Sequence, residues 1–172
     1  PQVAALCKLT SEADTHTIYM EGLQASAPAV VFASWALRLG RQGRTCLIVL
    51  EDEETAGYFY HDLTRMLPDD RVLFFPSAYR RAVKYAQRDA ANEILRTEVL
   101  GRLSARCEGG EAAADGALFV VTCPAALARR VAPCKAFSDS SISLAEGESH
   151  DLTDLSKRLL ELGFHRKDYV YE

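Results

Sequence analysis

The sequence has few residues of the kinds that identify a metal centre or a disulfide-stabilised fold. Its five cysteines include no C-x-x-C pair, and their odd number does not suit a disulfide framework. Its four histidines are scattered, and none lies at ligand spacing from a cysteine or another histidine. We therefore expect no metal site. We interpret Cys46 and Cys123, which lie in apolar stretches, as buried thiols of a protein from the reducing cytoplasm.

The chain also lacks an apolar run of membrane length and an excess of positive charge. Its longest apolar stretch, Ala25 to Leu39, is interrupted by polar residues and is too short to cross a bilayer, so no membrane partner is expected. A formal net charge of -4 argues against a nucleic-acid surface covering the molecule, although it permits a local basic patch. Because the first residue is Pro1 rather than Met, we expect a segment of a longer protein.

Apolar runs alternate with amphipathic stretches over residues 1–133, which predicts a three-layer α/β domain with a mainly parallel sheet. The predicted strands are His16–Leu23, Thr45–Leu50, Val72–Phe75 and Ala117–Val121. The predicted helices begin at Ser26, Asp52, Asp89 and Pro124. Continuous apolar runs such as Thr45–Leu50 are typical of strands covered on both faces. A chain of 172 residues can hold this domain and a smaller piece.

The pattern changes after residue 133, and residues 134–172 predict the first part of a small α+β lobe. Ser140–Glu146 alternates with Ile142 and Leu144 inward, which predicts a strand. An amphipathic helix is predicted at Asp151–Leu162, and a last strand at His165–Tyr171. Two strands and one helix enclose little apolar surface, so we expect this lobe to be truncated.

The loop between the first predicted strand and its helix stands where a phosphate-binding P-loop would stand. A P-loop needs two glycines separated by four residues, then a lysine for charge and a hydroxyl for Mg²⁺. Gly22 and Ser26 are present, but Ala27 replaces the second glycine, Pro28 the lysine and Ala29 the hydroxyl residue. The sequence predicts a degenerate nucleotide-binding loop, no bound cofactor and no catalytic residue in this chain.

Other candidate chemical groups are better explained by structure. A nucleotide hydrolase would need a carboxylate at a strand end, and the stretch Val120–Cys123 has none. Asp52, Glu53 and Glu54 follow the second strand, but a helix start favours negative charge there. His61 fits a helix surface better than a general base.

The most basic and aromatic stretch is Tyr79–Arg88. Arginine and lysine interleaved with tyrosine can hold phosphates and stack on bases, so Arg80, Arg81 and Lys84 are candidate DNA contacts. The alternative is a loop and helix start whose charges are simply solvated.

Together these segments resemble the amino-terminal UvrB-homology region of the bacterial transcription-repair coupling factors, the Mfd family. The resemblance extends from about Thr15 to the end of the chain and depends on the order and spacing of its motifs. The matching stretches are Gly22–Ala27, Thr45–Asp52, Ala56–Leu63, Val72–Pro76, Asn92–Arg96, Val120–Leu127 and Leu162–Glu172. UvrB is similar too, but it keeps an intact Gly-Ser-Gly-Lys-Thr loop and a long hairpin after the third strand, for which Pro76–Arg88 is too short.

The resemblance implies a non-catalytic docking module that recruits UvrA of nucleotide excision repair to RNA polymerase stalled at DNA damage. In that family the full-length protein is a translocase that binds RNA polymerase and DNA, and its ATP and Mg²⁺ sites lie far downstream. UvrA docks on the second lobe, so Arg158, Arg166 and Lys167 are the candidate contacts present, in an incomplete epitope. Solvated surface charges are an equal alternative for these three. The alternative functions are an ATP-using UvrB or helicase-type domain and a DNA-binding module.

Overall fold

In the computed structural model the described residues are 2–12, 14–39, 44–78, 89–107, 117–142 and 144–167. They form a mixed α/β structure built on a three-stranded sheet. The strands are β1 (Thr45–Val49), β2 (Val72–Phe75) and β3 (Leu118–Thr122). The helices are α1 (Gln2–Ser11), α2 (Ala27–Leu39), α3 (Glu53–Thr64), α4 (Ala90–Cys107), α5 (Pro124–Leu127), α6 (Cys134–Asp139) and α7 (Leu152–Glu161), with a 3-10 turn at Asp69–Arg71.

The sheet is parallel throughout, in the order β1-β3-β2. The central strand β3 pairs Leu47 with Val120 on one side and Leu73 with Val120 on the other. All five residues of β3 are buried. Its uninterrupted apolar sequence therefore corresponds to a strand covered on both faces, as predicted.

Helices lie on both faces of the sheet and make three layers. On one face, the ring of Phe32 in α2 meets Phe119 edge-on at a centroid distance of 5.2 Å, and Tyr60 in α3 stacks on Phe74 at 5.4 Å. On the other face, Arg96 of α4 lies over the ring of Phe75. The predicted α/β class with a parallel sheet is confirmed.

The expected first strand, His16–Leu23, is absent. Residues 15–24 have no regular structure, and Tyr19 and Met20 are exposed. Within His16–Leu23 only Ile18 and Leu23 are half-buried, so the stretch has too few buried apolar side chains to join the sheet.

The prediction that β1 is covered on both faces is also wrong. Its residues alternate between exposed and half-buried, with Leu47 56% and Val49 47% exposed. The strand lies at an edge of the sheet and pairs with β3 alone. A continuous apolar run therefore did not distinguish an edge strand from a central one.

The stretch after β3 also differs from its prediction. The helix that begins at Pro124 was predicted to run to Val131, but it ends at Leu127. The expected strand Ser140–Glu146 is wrong: its described residues, 140–142 and 144–146, form no strand, and Leu144 is 58% exposed. Of the expected last strand only residues 165–167 are described, and they have no regular structure.

Two helices account for the regular structure of residues 134–167. Helix α6 packs against α4, where Ser104 Oγ contacts Ser138 Oγ at 2.9 Å and Cys134 Sγ at 3.2 Å. Helix α7 is confirmed near its predicted position, but none of its residues is buried. Among the described residues, no helix has the length and apolar character needed to cross a membrane.

Candidate functional site

The loop before α2 has the backbone of a tight turn. Gly22 has φ of +78°, in the left-handed region that favours glycine, and Ala25 has φ of 51°. A left-handed alanine costs on the order of 1–3 kcal/mol. The amide of Ala27 donates to the carbonyl of Gln24 at 3.0 Å, and the amide of Val30 donates to the carbonyl of Ser26 at 3.1 Å, which starts the helix.

The loop lies toward the carboxyl edge of the sheet, where parallel α/β folds bind ligands. The carboxyl-terminal half of α2 is at the opposite edge, because Trp35 lines the same cavity as Thr45 and Cys46 at the start of β1. The first turn of α2 therefore points toward the carboxyl edge. Pro28 falls in that turn, as predicted, where it contributes no N–H to an incoming anion. Ala27 and Ala29 add only methyl groups.

The carboxylates after β1 start a helix. Asp52 is the N-cap of α3, and its Oδ1 accepts a hydrogen bond from the amide of Thr55 at 2.8 Å. Glu53 and Glu54 occupy the first turn, where the helix dipole favours negative charge. The structural interpretation of these three residues is confirmed. Glu53 Oε1 also accepts from Asn92 Nδ2 at 3.3 Å, which links α3 to α4.

Sequence reasoning missed Arg96, whose guanidinium is buried at the carboxyl edge. Only 7% of the residue is exposed. Its NH1 donates to the carbonyl of Pro76 at 2.7 Å and lies 3.4 Å from the carbonyl of Ala126, and its Cζ lies 3.9 Å from the ring centre of Phe75. The spacing of Arg96 from Val99, three residues on along the same helix face, is the signal that could have placed it inward.

The surroundings of Arg96 lower the pKa of its guanidinium. Burial lowers the pKa of this guanidinium, while the carboxylate of Glu93 raises it and Arg129 lowers it further. Arginine remains a cation under such shifts because its starting pKa is so high. The charge is directed at backbone carbonyls, so Arg96 joins the segments that follow β2 and β3.

Neighbouring polar groups have the same function. Thr122 Oγ1 at the end of β3 donates to the carbonyl of Phe75 at 2.8 Å, and Asn92 Nδ2 donates to the carbonyl of Ser77 at 2.8 Å. In the described part of the chain no group of three or more His, Cys, Asp and Glu side chains could hold a metal ion. The carboxyl edge is thus bound together by side chain to backbone hydrogen bonds.

The chain was also compared with known proteins. No family model matches it, and no curated protein does.

The candidate partner contacts lie on the surface of the carboxyl-terminal stretch. Arg158, Arg166 and Lys167 are exposed. The same stretch also exposes apolar side chains, with Leu152 78% and Phe164 60% exposed. The amphipathic helix predicted at Asp151–Leu162 carries a leucine row, of which Leu152 is exposed and Leu155, Leu159 and Leu162 are half-buried. This stretch therefore presents both apolar and basic side chains to solvent.

Helix α7 is capped at both ends, although none of its residues is fully buried. Asp151 Oδ1 accepts from the amides of Thr153 at 2.7 Å and Asp154 at 3.3 Å, and these bonds hold the pKa of Asp151 below its usual value. At the other end, Gly163 has φ of +88° and the amide of Phe164 donates to the carbonyl of Leu159 at 3.0 Å. The surface therefore rests on a capped helix.

The candidate DNA contacts Arg80, Arg81 and Lys84 lie outside the described residues. Their neighbours on either side are described. Ala78 is buried and its carbonyl accepts from the amide of Asp89 at 3.2 Å, so the two ends of this segment lie close together.

Proposed function

We propose that this chain is the UvrB-homology region of a transcription-repair coupling factor and acts as a protein-interaction module that recruits UvrA. In this proposal the α/β part is a degenerate P-loop-type domain without nucleotide chemistry, and the carboxyl-terminal stretch carries part of the docking surface. The full-length protein would contact RNA polymerase and DNA and would use ATP and Mg²⁺ through other domains.

The observation that carries the proposal is the loop from Gly22 to Ala29. It opens helix α2 and contains Gly22 in the left-handed region, but residues 15–24 form no strand before it, and Pro28 and Ala29 stand where a P-loop has its lysine and hydroxyl residue. Among the described residues, the buried cation Arg96 is directed at backbone carbonyls. This combination favours a scaffold over a nucleotide-hydrolysing enzyme.

The surface of α7 supports the interaction part of the proposal. A helix with one leucine face is patterned for burial, and exposed apolar patches rimmed by charge are typical of protein contacts. Leu152 and Phe164 are exposed in the same stretch as Arg158 and Lys167. A partner with apolar pockets and acidic rims would match this surface.

The nucleotide part is tested by isothermal titration of the chain with ATP and Mg²⁺. We expect no saturable heat, because Pro28 and Ala29 replace the lysine and hydroxyl. Saturable binding at micromolar ATP would overturn the scaffold interpretation and favour the ATP-using alternative.

The partner part is tested by biolayer interferometry with immobilised UvrA. We expect measurable binding that weakens at least about tenfold when Arg158, Arg166 and Lys167 are all changed to Glu, because reversed charges meet acidic groups on the partner. Binding of the wild-type chain that the triple variant leaves unchanged would remove these residues from the interface. A lack of any binding to UvrA would overturn the proposed partner.

A matched control carries the same change of charge elsewhere. Arg38, Arg65 and Arg102 are exposed on α2, at the end of α3 and on α4. Their triple change to Glu should leave UvrA binding within about twofold of wild type. If both triple variants lose binding equally, net charge rather than this surface controls the interaction.

A further inference from the structure

A cavity of about 420 Å³ lies at the amino edge of the sheet, opposite the degenerate loop. It is bounded by the end of α1, the irregular segment after it, the last turns of α2 and the start of β1. Its volume falls within the range of about 300–1,000 Å³ that small-molecule sites occupy. The cavity is open to solvent and combines an aromatic wall with polar groups, which include Thr10, His16, Trp35, Arg44 and Thr45.

Positive charge is concentrated at this cavity. The guanidinium of Arg44 lines it, and NH1 of Arg106 approaches the carbonyl of Arg44 and Oγ1 of Thr45, each at 3.5 Å. None of the described residues that line the cavity is acidic. The carboxylate of Glu12 lies close by, with its Oε2 3.5 Å from Oγ1 of Thr15, a lining residue.

Arg44 is held in place by the end of α1. Its NH1 donates to the carbonyl of Thr10 at 3.2 Å, which offsets the partial negative charge of that helix end. A guanidinium has five N–H donors in a planar fork, so this single bond uses a small part of its capacity. The fork geometry suits bidentate contact with a carboxylate or phosphate.

The cavity also has an apolar wall. Trp35 is 8% exposed and its Nε1 donates to Oγ1 of Thr10 at 3.0 Å, which fixes the ring beside Ile18 and Cys46. Burial raises the pKa of the Cys46 thiol although Arg44 opposes this, so the thiol stays neutral and adds no negative charge. A ligand with a flat apolar part and an anionic end would meet both walls.

We propose that this cavity binds a small organic oxyanion, a carboxylate or phosphate carried on a flat apolar group, through Arg44 with Thr45 beside it and Trp35 as the apolar wall. The site is separate from the proposed UvrA surface and from the degenerate loop. It can therefore exist whether or not the proposed function is correct.

Isothermal titration with benzoate, phenyl phosphate and the uncharged benzamide tests the class of ligand. We expect saturable binding of at least one of the two anions and binding of benzamide at least about tenfold weaker, because the charge-assisted contact is lost. Benzoate and phenyl phosphate together show whether carboxylate or phosphate is preferred. Equal binding of benzamide, or no binding of either anion at millimolar concentration, would overturn the proposal.

Arg44→Gln tests the residue. Anion affinity should fall at least about tenfold, while Arg65→Gln, an equal loss of charge at the end of α3, should leave it unchanged. Emission of Trp35, the single tryptophan in the chain, gives a second readout at the cavity wall. If Arg44→Gln does not fold by circular dichroism, Thr45→Val replaces it and should weaken binding several-fold. Unchanged affinity in the folded variant would contradict the assignment.

Discussion

The strand β3 and the helix α7 represent two extremes of burial within one chain. All five residues of β3 are buried, between the partner strands and helices on both faces of the sheet. Helix α7 also carries a leucine row, but none of its residues is buried: Leu152 is exposed, and Leu155 and Leu159 are half-buried. Apolar side chains are therefore fully enclosed in one region and only partly covered in the other.

This difference in burial shows which of the described residues pack into a core. Around β3, the ring of Phe32 contacts those of Phe59 and Phe119, and the small residues Ala29 and Ala33 of α2 are buried. Helix α7 depends on its caps at Asp151 and Gly163. Its leucine row is consistent with a surface that is covered only when a partner or another segment binds.

The contrast in burial between β3 and α7 is tested most directly by changing one leucine to alanine in each. Leu118 in β3 is 2% exposed and Leu152 in α7 is 78% exposed. Leu118→Ala should lower the free energy of unfolding by about 2–5 kcal/mol, because it leaves a cavity in the core. Leu152→Ala should change it by about 0.5 kcal/mol or less. Urea denaturation followed by circular dichroism measures both. A large loss for Leu152→Ala would show that α7 is covered in the free protein.

The next largest effect concerns Arg96. Arg96→Met keeps most of the side-chain volume but removes the donor that satisfies the buried carbonyl of Pro76. An unsatisfied buried acceptor costs about 1–3 kcal/mol, so the free energy of unfolding should fall by that amount. Arg102→Met, at an exposed position of the same helix, should stay within about 0.5 kcal/mol of wild type. If the two variants unfold at the same urea concentration, the guanidinium does not join the ends of β2 and β3.

Sequence periodicity predicted the elements whose pattern is local. Helix α3 with its Asp52 cap, strands β2 and β3, and helix α4 lie within a few residues of their expected bounds. Their apolar spacing and helix-start residues were sufficient to predict where these elements lie. The α/β class follows from their alternation.

The errors concern properties that depend on distant residues. Leu47 and Val49 were expected to be buried because they lie in an apolar run, but they belong to an edge strand, and the position of a strand in the sheet depends on distant residues. Residues 16–23 lacked a strong alternating pattern and do not join the sheet. Charged residues are rarely buried, so Arg96 was missed although its carbonyl partners explain it.

The smallest expected effect is the pH dependence of α7. Hydrogen bonds from the amides of Thr153 and Asp154 hold the pKa of Asp151 below its ordinary value of 3.8. A carboxyl with a lowered pKa in the folded state stabilises the helix above its unfolded pKa, and this contribution is lost as the pH falls through the folded value. The amides of Thr153 and Asp154, followed by two-dimensional NMR, should therefore exchange faster with water, relative to the intrinsic rate, at pH 2.5 than at pH 6. Asp151→Asn keeps a capping oxygen that does not titrate, so its protection should not change with pH in this window. Equal pH dependence in both proteins would assign the effect to global unfolding of the α/β part instead of to the cap.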